Sequence, residues 1–407
     1  MAPDSTNSLL LRGARIIGHD RVIEQGAVLI EAGLIVRVFD SETPQLPAAD
    51  AVVDLDGLTL FPGFIDLHIH GAAGVDTMAA NADDLGRVGM FLASKGVTAW
   101  LPTLVPSTIE QYKDAVHAIE QAWAQTSVRE NIGAADPGVK SVPLARIIGV
   151  HYEGPFVNSE QCGALHRQHF RTYQNAADLD ALPTIKHESA IHMMTLAPEI
   201  EGGVALIHEL HRRGWIISIG HTRATVDVLD EALRAGAHHM THFMNAMAPL
   251  HHRAPGPVGW GLIHDQVTCD VIADGIHVDP SILKLILRSK TANRISLISD
   301  AIAPTGLGDG EYHIWDEKIV VKDGRTQNAR GSIAGSVITV LDAVRMMLSL
   351  GIFESDVARM ASLNPARLAG IDVDCGSIEE GKRADLVALD EARNLRLTIV
   401  EGHVAFQ

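Results

Sequence analysis

Between Pro62 and Val373 the chain repeats one pattern eight times: a short apolar run suited to a buried strand, mostly followed by a stretch with helical spacing. The runs are 63–70 (GFIDLHIH), 97–104, 145–154, 192–198, 215–222, 238–247, 267–277 and 295–301, and helical stretches fall at 83–94, 109–125, 204–213, 226–235 and 281–289. Such alternation is the signature of a parallel sheet built from βα units. Eight units over about 300 residues predict a (β/α)8, TIM-like barrel.

The two ends of the chain read differently. Residues 9–60 and 376–407 are short β-like runs broken by Gly, Asp and Pro, with little helical periodicity. They are expected to pair as a small β-sandwich domain, 1–61 with 376–407, leaving 62–375 as an inserted barrel. Hydrophobic residues, at 46%, supply ample core, yet no run approaches the roughly 18–20 residues of a membrane span. With 33 Lys+Arg against 50 Asp+Glu the net charge is −17, which argues against nucleic acid or an anionic membrane as partner. Cys162, Cys269 and Cys375 are scattered and odd in number, and Met1–Gly13 shows no export signal, so a reducing cytoplasm is expected.

In such a barrel the reacting groups sit where strands end. His68 and His70 close the first run, His151 and Glu153 the third, His221 the fifth, His242 the sixth, His277 the seventh and Asp300 the eighth. Side chains two apart on a strand share a side, so His68 and His70 can share a metal. Glu153, His221 and His242 give one carboxylate and two imidazoles, a set that leaves a divalent ion with open positions for water. Zinc is the default for these ligands; iron, manganese and cobalt also suit them. Asp300 closes an apolar run, where a carboxylate is costly to bury unless a cation or hydrogen bonds accompany it. The glycines of Thr305–Gly310 lack a P-loop lysine and read as a turn, and Ser336 is placed to cap a following helix.

These tracts carry a resemblance. Pro62–Gly71 (PGFIDLHIHG) resembles the first-strand signature of the amidohydrolase superfamily. HYEGPF at 151–156, GHT at 220–222, THFMNAM at 241–247, ADGIH at 273–277 and SDA at 299–301 are similar, in order, to its N-acetylglucosamine-6-phosphate deacetylase family, and the likeness runs on to Leu386. The resemblance implies hydrolysis of the acetamide of N-acetylglucosamine 6-phosphate to glucosamine 6-phosphate and acetate. The alternative is a related amidohydrolase acting on N-acetylgalactosamine 6-phosphate or an N-acyl amino acid.

It further implies that Glu153, His221 and His242 hold the hydrolytic metal and that Asp300 is the general base and acid. Some members of the family lack the first-strand pair; this chain keeps His68 and His70, so one or two ions per subunit are implied, bridged by Glu153. Asn245, the backbone at Ala246, Arg253 and His277 correspond to sugar-phosphate contacts. Arg253 would reach a neighbouring subunit's site, implying a homodimer. The family has Gly-Ala-His or Gly-Thr-His where this chain reads Gly163-Ala164-Leu165-His166, so a one-residue shift is needed for His166, beside Ala164, to take the histidine's place.

Overall fold

The computed structural model describes residues 8–18, 21–43, 45–135 and 143–407, without the side chains of 126–135. Eight parallel strands follow one another around a barrel: Phe64–Ile69, Val97–Leu104, Gly149–Glu153 (with Arg146–Ile147 just before it), Ile191–Leu196, Ile216–Ile219, His239–Met240, Thr268–Ile272 and Ile295–Ile298. They are numbered one to eight below. The ring closes between strands eight and one through a bridge of Ile69 with Ala301, where the His70 N–H donates to the Ala301 carbonyl at 2.8 Å. Every residue of strands one, two, three and eight is buried, as expected of a sheet covered by helices on one face and filled by its own side chains on the other.

The helices form where their ends are provided for. Asn81 and Asp84 make a reciprocal capping box at the start of Ala82–Ala93. Asp279 caps Pro280–Lys290, whose proline sits in the first turn where its missing N–H costs nothing. Val226–Ala235 stops at Gly236, at φ 119°. The helix Val340–Ser349 is capped by Thr339 with Asp342, not by Ser336 as the sequence suggested. The Ser336 hydroxyl instead donates to the Ser299 carbonyl at 2.5 Å.

Both chain ends enter one eight-stranded sheet, with Leu386–Leu389 pairing antiparallel with Thr59–Pro62. That sheet has its own apolar cluster, including Leu11, Ile16, Val28, Leu60, Leu386 and Leu397. A further three-stranded antiparallel sheet, Gly310–Ile314, Glu317–Lys322 and Arg325–Asn328, follows strand eight and was not anticipated from the sequence. Among the described residues no helix is long and apolar enough to cross a membrane.

Candidate metal centre

Extended backbone places the His68 and His70 imidazoles on one side of strand one, their Nε2 atoms 3.1 Å apart. Glu153 is the last residue of strand three. His221, His242 and Asp300 lie just beyond strands five, six and eight, at φ 49°, 29° and 51°. Left-handed backbone is uncommon for residues with a Cβ and tends to gather at functional sites. All six side chains are buried, with Asp300 the most accessible at 8%.

The six converge. Glu153 Oε1 lies 3.0 Å from His221 Nε2, 2.9 Å from His242 Nε2 and 3.4 Å from His68 Nε2, while Oε2 lies 3.4 Å from His70 Nε2. Asp300 Oδ1 stands 3.5 Å from His68 Nε2 and 3.3 Å from His70 Nε2. Two ligand triads result, His68–His70–Glu153 and Glu153–His221–His242, sharing the one carboxylate. Burial alone would raise the Glu153 pKa, but His68, His221 and His242 outweigh it and hold the carboxyl well below its ordinary range. Burial likewise opposes charge on His70, yet hydrogen bonds to Asp300 and Glu153 prevail and lift it to about 10. His68, with burial dominant, is pushed well below the ordinary imidazole value.

These residues fit a cation. Nε2 of His221 and His242 face each other at 3.2 Å, as those of His68 and His70 do at 3.1 Å, so lone pairs oppose lone pairs unless a proton or metal lies among them. His221 turns its other nitrogen to the Gln161 carbonyl at 2.8 Å and His70 turns its own to the Thr103 carbonyl at 3.3 Å, which orients Nε2 inward as metal-ligating imidazoles require. His151 belongs elsewhere. Its Nε2 meets Thr195 Oγ1 at 2.8 Å, its Nδ1 meets the Leu67 carbonyl at 3.1 Å, and burial drives its pKa down to about 3, leaving a neutral core imidazole beneath the cluster.

The remaining sequence-derived residues lie on loops and turns. Asn245 donates from Nδ2 to the His242 carbonyl at 3.1 Å, and Ala246 adopts φ 49° in the same turn. His277 lies five residues past the end of strand seven, held by Asp274 Oδ2 at 2.6 Å from its Nδ1. Arg253 is exposed on the loop before Gly256–Ile263, with only His252 as side-chain partner among the described residues, at 2.7 Å. The Ala164 carbonyl accepts from Arg330 at 2.8 Å. His166 is half-buried with Nε2 at 3.9 Å from Glu317, while Leu165 packs with Val105 and Val157; neither joins the metal ligands.

Residues 59–405 match the model of the amidohydrolase family. The chain belongs to that family. Over 402 residues, 98% of this chain and 97% of the relative, it is 34% identical to N-acetylglucosamine-6-phosphate deacetylase of Bacillus subtilis. It is also 34% identical, over 97% of its own length and 99% of the relative, to N-acetylgalactosamine-6-phosphate deacetylase of Escherichia coli O157:H7. Among solved structures, N-acetylglucosamine-6-phosphate deacetylase from Pasteurella multocida superposes with a TM-score of 0.87 at 28% identity, covering 98% of this chain and 100% of that one. A mutant of the Mycobacterium smegmatis enzyme, in complex with N-acetyl-D-glucosamine-6-phosphate, gives 0.84 at 29% identity over 98% and 100%.

Four contributors to the site carried no sequence signal strong enough to single them out. Thr103 and Gln161 act through backbone carbonyls, which every residue has. Gly335, at φ 61°, lets its backbone approach Asp300: a Cβ there would sit 2.8 Å from the Asp300 carbonyl oxygen, while the adjacent Ser336 N–H donates to that oxygen at 2.7 Å. The fourth is Trp315, whose ring meets that of His70 edge-on at 5.5 Å.

Proposed function

We propose that this chain hydrolyses the acetamide of N-acetylglucosamine 6-phosphate, releasing glucosamine 6-phosphate and acetate. The observation that carries the reading is the sharing of Glu153 by two histidine pairs with Asp300 beside them, in a chain that aligns end to end with sugar-phosphate deacetylases. Glu153 with His221 and His242 would hold one divalent ion, and Glu153 with His68 and His70 a second, with zinc the expected metal and iron, manganese or cobalt also suited to the ligands. Such an ion, when bound, supplies Lewis acidity toward water and the scissile carbonyl.

The chain supplies the proton transfers. Asp300 takes a proton from the attacking water and returns it to the departing amine, a role supported by its being the most accessible of the six clustered side chains. Asn245, the Ala246 backbone and His277 hold the sugar, with His166 and Ala164 on the opposite loop. Arg253 offers a planar fork for the phosphate. Its exposure suits reaching into the site of a second copy, and we read the protein as a cytoplasmic homodimer. We read the small β domain as 1–61 with 376–407 and the barrel as 62–375.

The test is acetate release by metal-quantified protein from N-acetylglucosamine 6-phosphate, N-acetylgalactosamine 6-phosphate and their unphosphorylated forms. The reading predicts a preference for the phosphorylated gluco sugar. Preference for the galacto sugar would move the assignment to the activity named for the Escherichia coli relative. Preference for an unphosphorylated sugar would remove the phosphate role of Arg253.

A further inference from the structure

The strand Gly310–Ile314 turns into Glu317–Lys322 through a two-residue loop, Trp315-Asp316, with φ 54° and 58°. Tight hairpin loops that need positive φ at both positions favour Asn-Gly; a bulky aromatic there is an outlier. A strained residue of this kind persists only where its surroundings hold it, and it invites a functional explanation. Trp315 points inward. It packs against the buried Val105, Val157 and Leu165 beside Met78 and Phe170, and its ring edge meets His70.

Those five apolar residues come from segments that follow strands one, two and three. The sugar contacts Asn245 and His277 follow strands six and seven, on the other side of the Glu153–Asp300 centre. Given the reading above, on which this step rests, an amide held at the centre with its sugar toward strands six and seven turns its acyl group toward strands one to three. There it would meet the apolar cluster that Trp315 joins. We propose that Trp315, delivered by the strained hairpin tip, is the end wall of the acyl pocket and sets the length of acyl chain that is accepted. Leu165, standing where the family has a histidine, forms part of the same wall.

Trp315→Gly and Trp315→Asn both suit the positive φ, so they remove the wall while easing the turn; Trp315→Phe keeps an aromatic wall. The assay compares kcat/KM for the N-acetyl, N-propionyl and N-butyryl forms of glucosamine 6-phosphate. In an Asp300→Asn background, calorimetric Kd values for the same compounds read binding without turnover. Each methylene admitted to an apolar pocket is worth about tenfold or more, so the butyryl-to-acetyl ratio should rise at least about tenfold in the Gly and Asn variants. The Kd ratio should follow, and the Phe variant should stay near wild type in ratio. Wild-type ratios in the Gly and Asn variants, with N-acetyl substrate still hydrolysed, overturn the wall and leave the deacetylase reading standing. No acyl release from any of these compounds by the metal-loaded wild type overturns both.

Discussion

The two triads that share Glu153 are built by different means. His68 and His70 lie two apart along an extended segment, so strand geometry aligns them without unusual backbone at either residue. His221 and His242 come from separate strands, and each reaches Glu153 only by turning into left-handed backbone just past its strand end. The first pair is a local device, whose ligand distance follows from the pleat. The second is a tertiary device, whose ligand distance depends on the whole barrel holding its register. Each pair has one imidazole anchored to a carbonyl, His70 on Thr103 and His221 on Gln161, and one whose Nδ1 has no partner among the described residues, His68 and His242.

The largest effect should come from the residue common to both. Glu153→Gln should lower bound metal in both triads and reduce turnover to background, measured by metal analysis beside acetate release. Retention of one full equivalent of metal would show that the triads do not depend on it equally. Next, Asp300→Asn should cost about 10²–10⁴ in kcat with metal content kept. Loss of metal along with turnover would make Asp300 a ligand and not a proton carrier.

Single ligand changes then separate the two devices. His221→Ala should lose the ion of its triad and most activity, whereas His70→Ala should lose the other ion and leave that of Glu153–His221–His242 in place. Equal metal content in His70→Ala and wild type would reduce the first-strand pair to core histidines. A smaller effect concerns pH. The folded His70 value of about 10 lies above the roughly 6.5 of a free imidazole, so in chelator-treated protein its stabilisation is full below about pH 6.5 and is lost as pH rises through about 10. Melting curves of treated and metal-loaded protein between pH 7 and 10 should diverge, with the treated form falling faster; parallel curves would contradict the proton held on His70.

The same contrast explains what was legible in the sequence. The first strand and its histidine pair stood out because period-two spacing is a local rule, and Val97–Leu104 and Val226–Ala235 form with the limits their patterns suggested. The sixth run, read as 238–247, shortens to His239–Met240 because the tract after it turns sharply to carry His242, Met244 and Ala246 at positive φ. His277 was assigned to a strand end but sits in a loop, where the Asp274 carboxylate and not the strand fixes it. The hairpin bearing Trp315 escaped notice because its turn lacks the Asn-Gly signal that announces such loops. His166 stands with its Nε2 3.9 Å from Glu317 while Leu165 packs with Val105 and Val157, a loop packing that spacing alone does not encode.

The most direct measurement titrates metal-free protein with zinc while acetate release from N-acetylglucosamine 6-phosphate is followed. The account predicts no turnover without metal, a rise with added zinc, and a plateau at a stoichiometry that falls when His70 or His221 is replaced. A protein that binds zinc through Glu153 yet releases no acetate at any loading would contradict it.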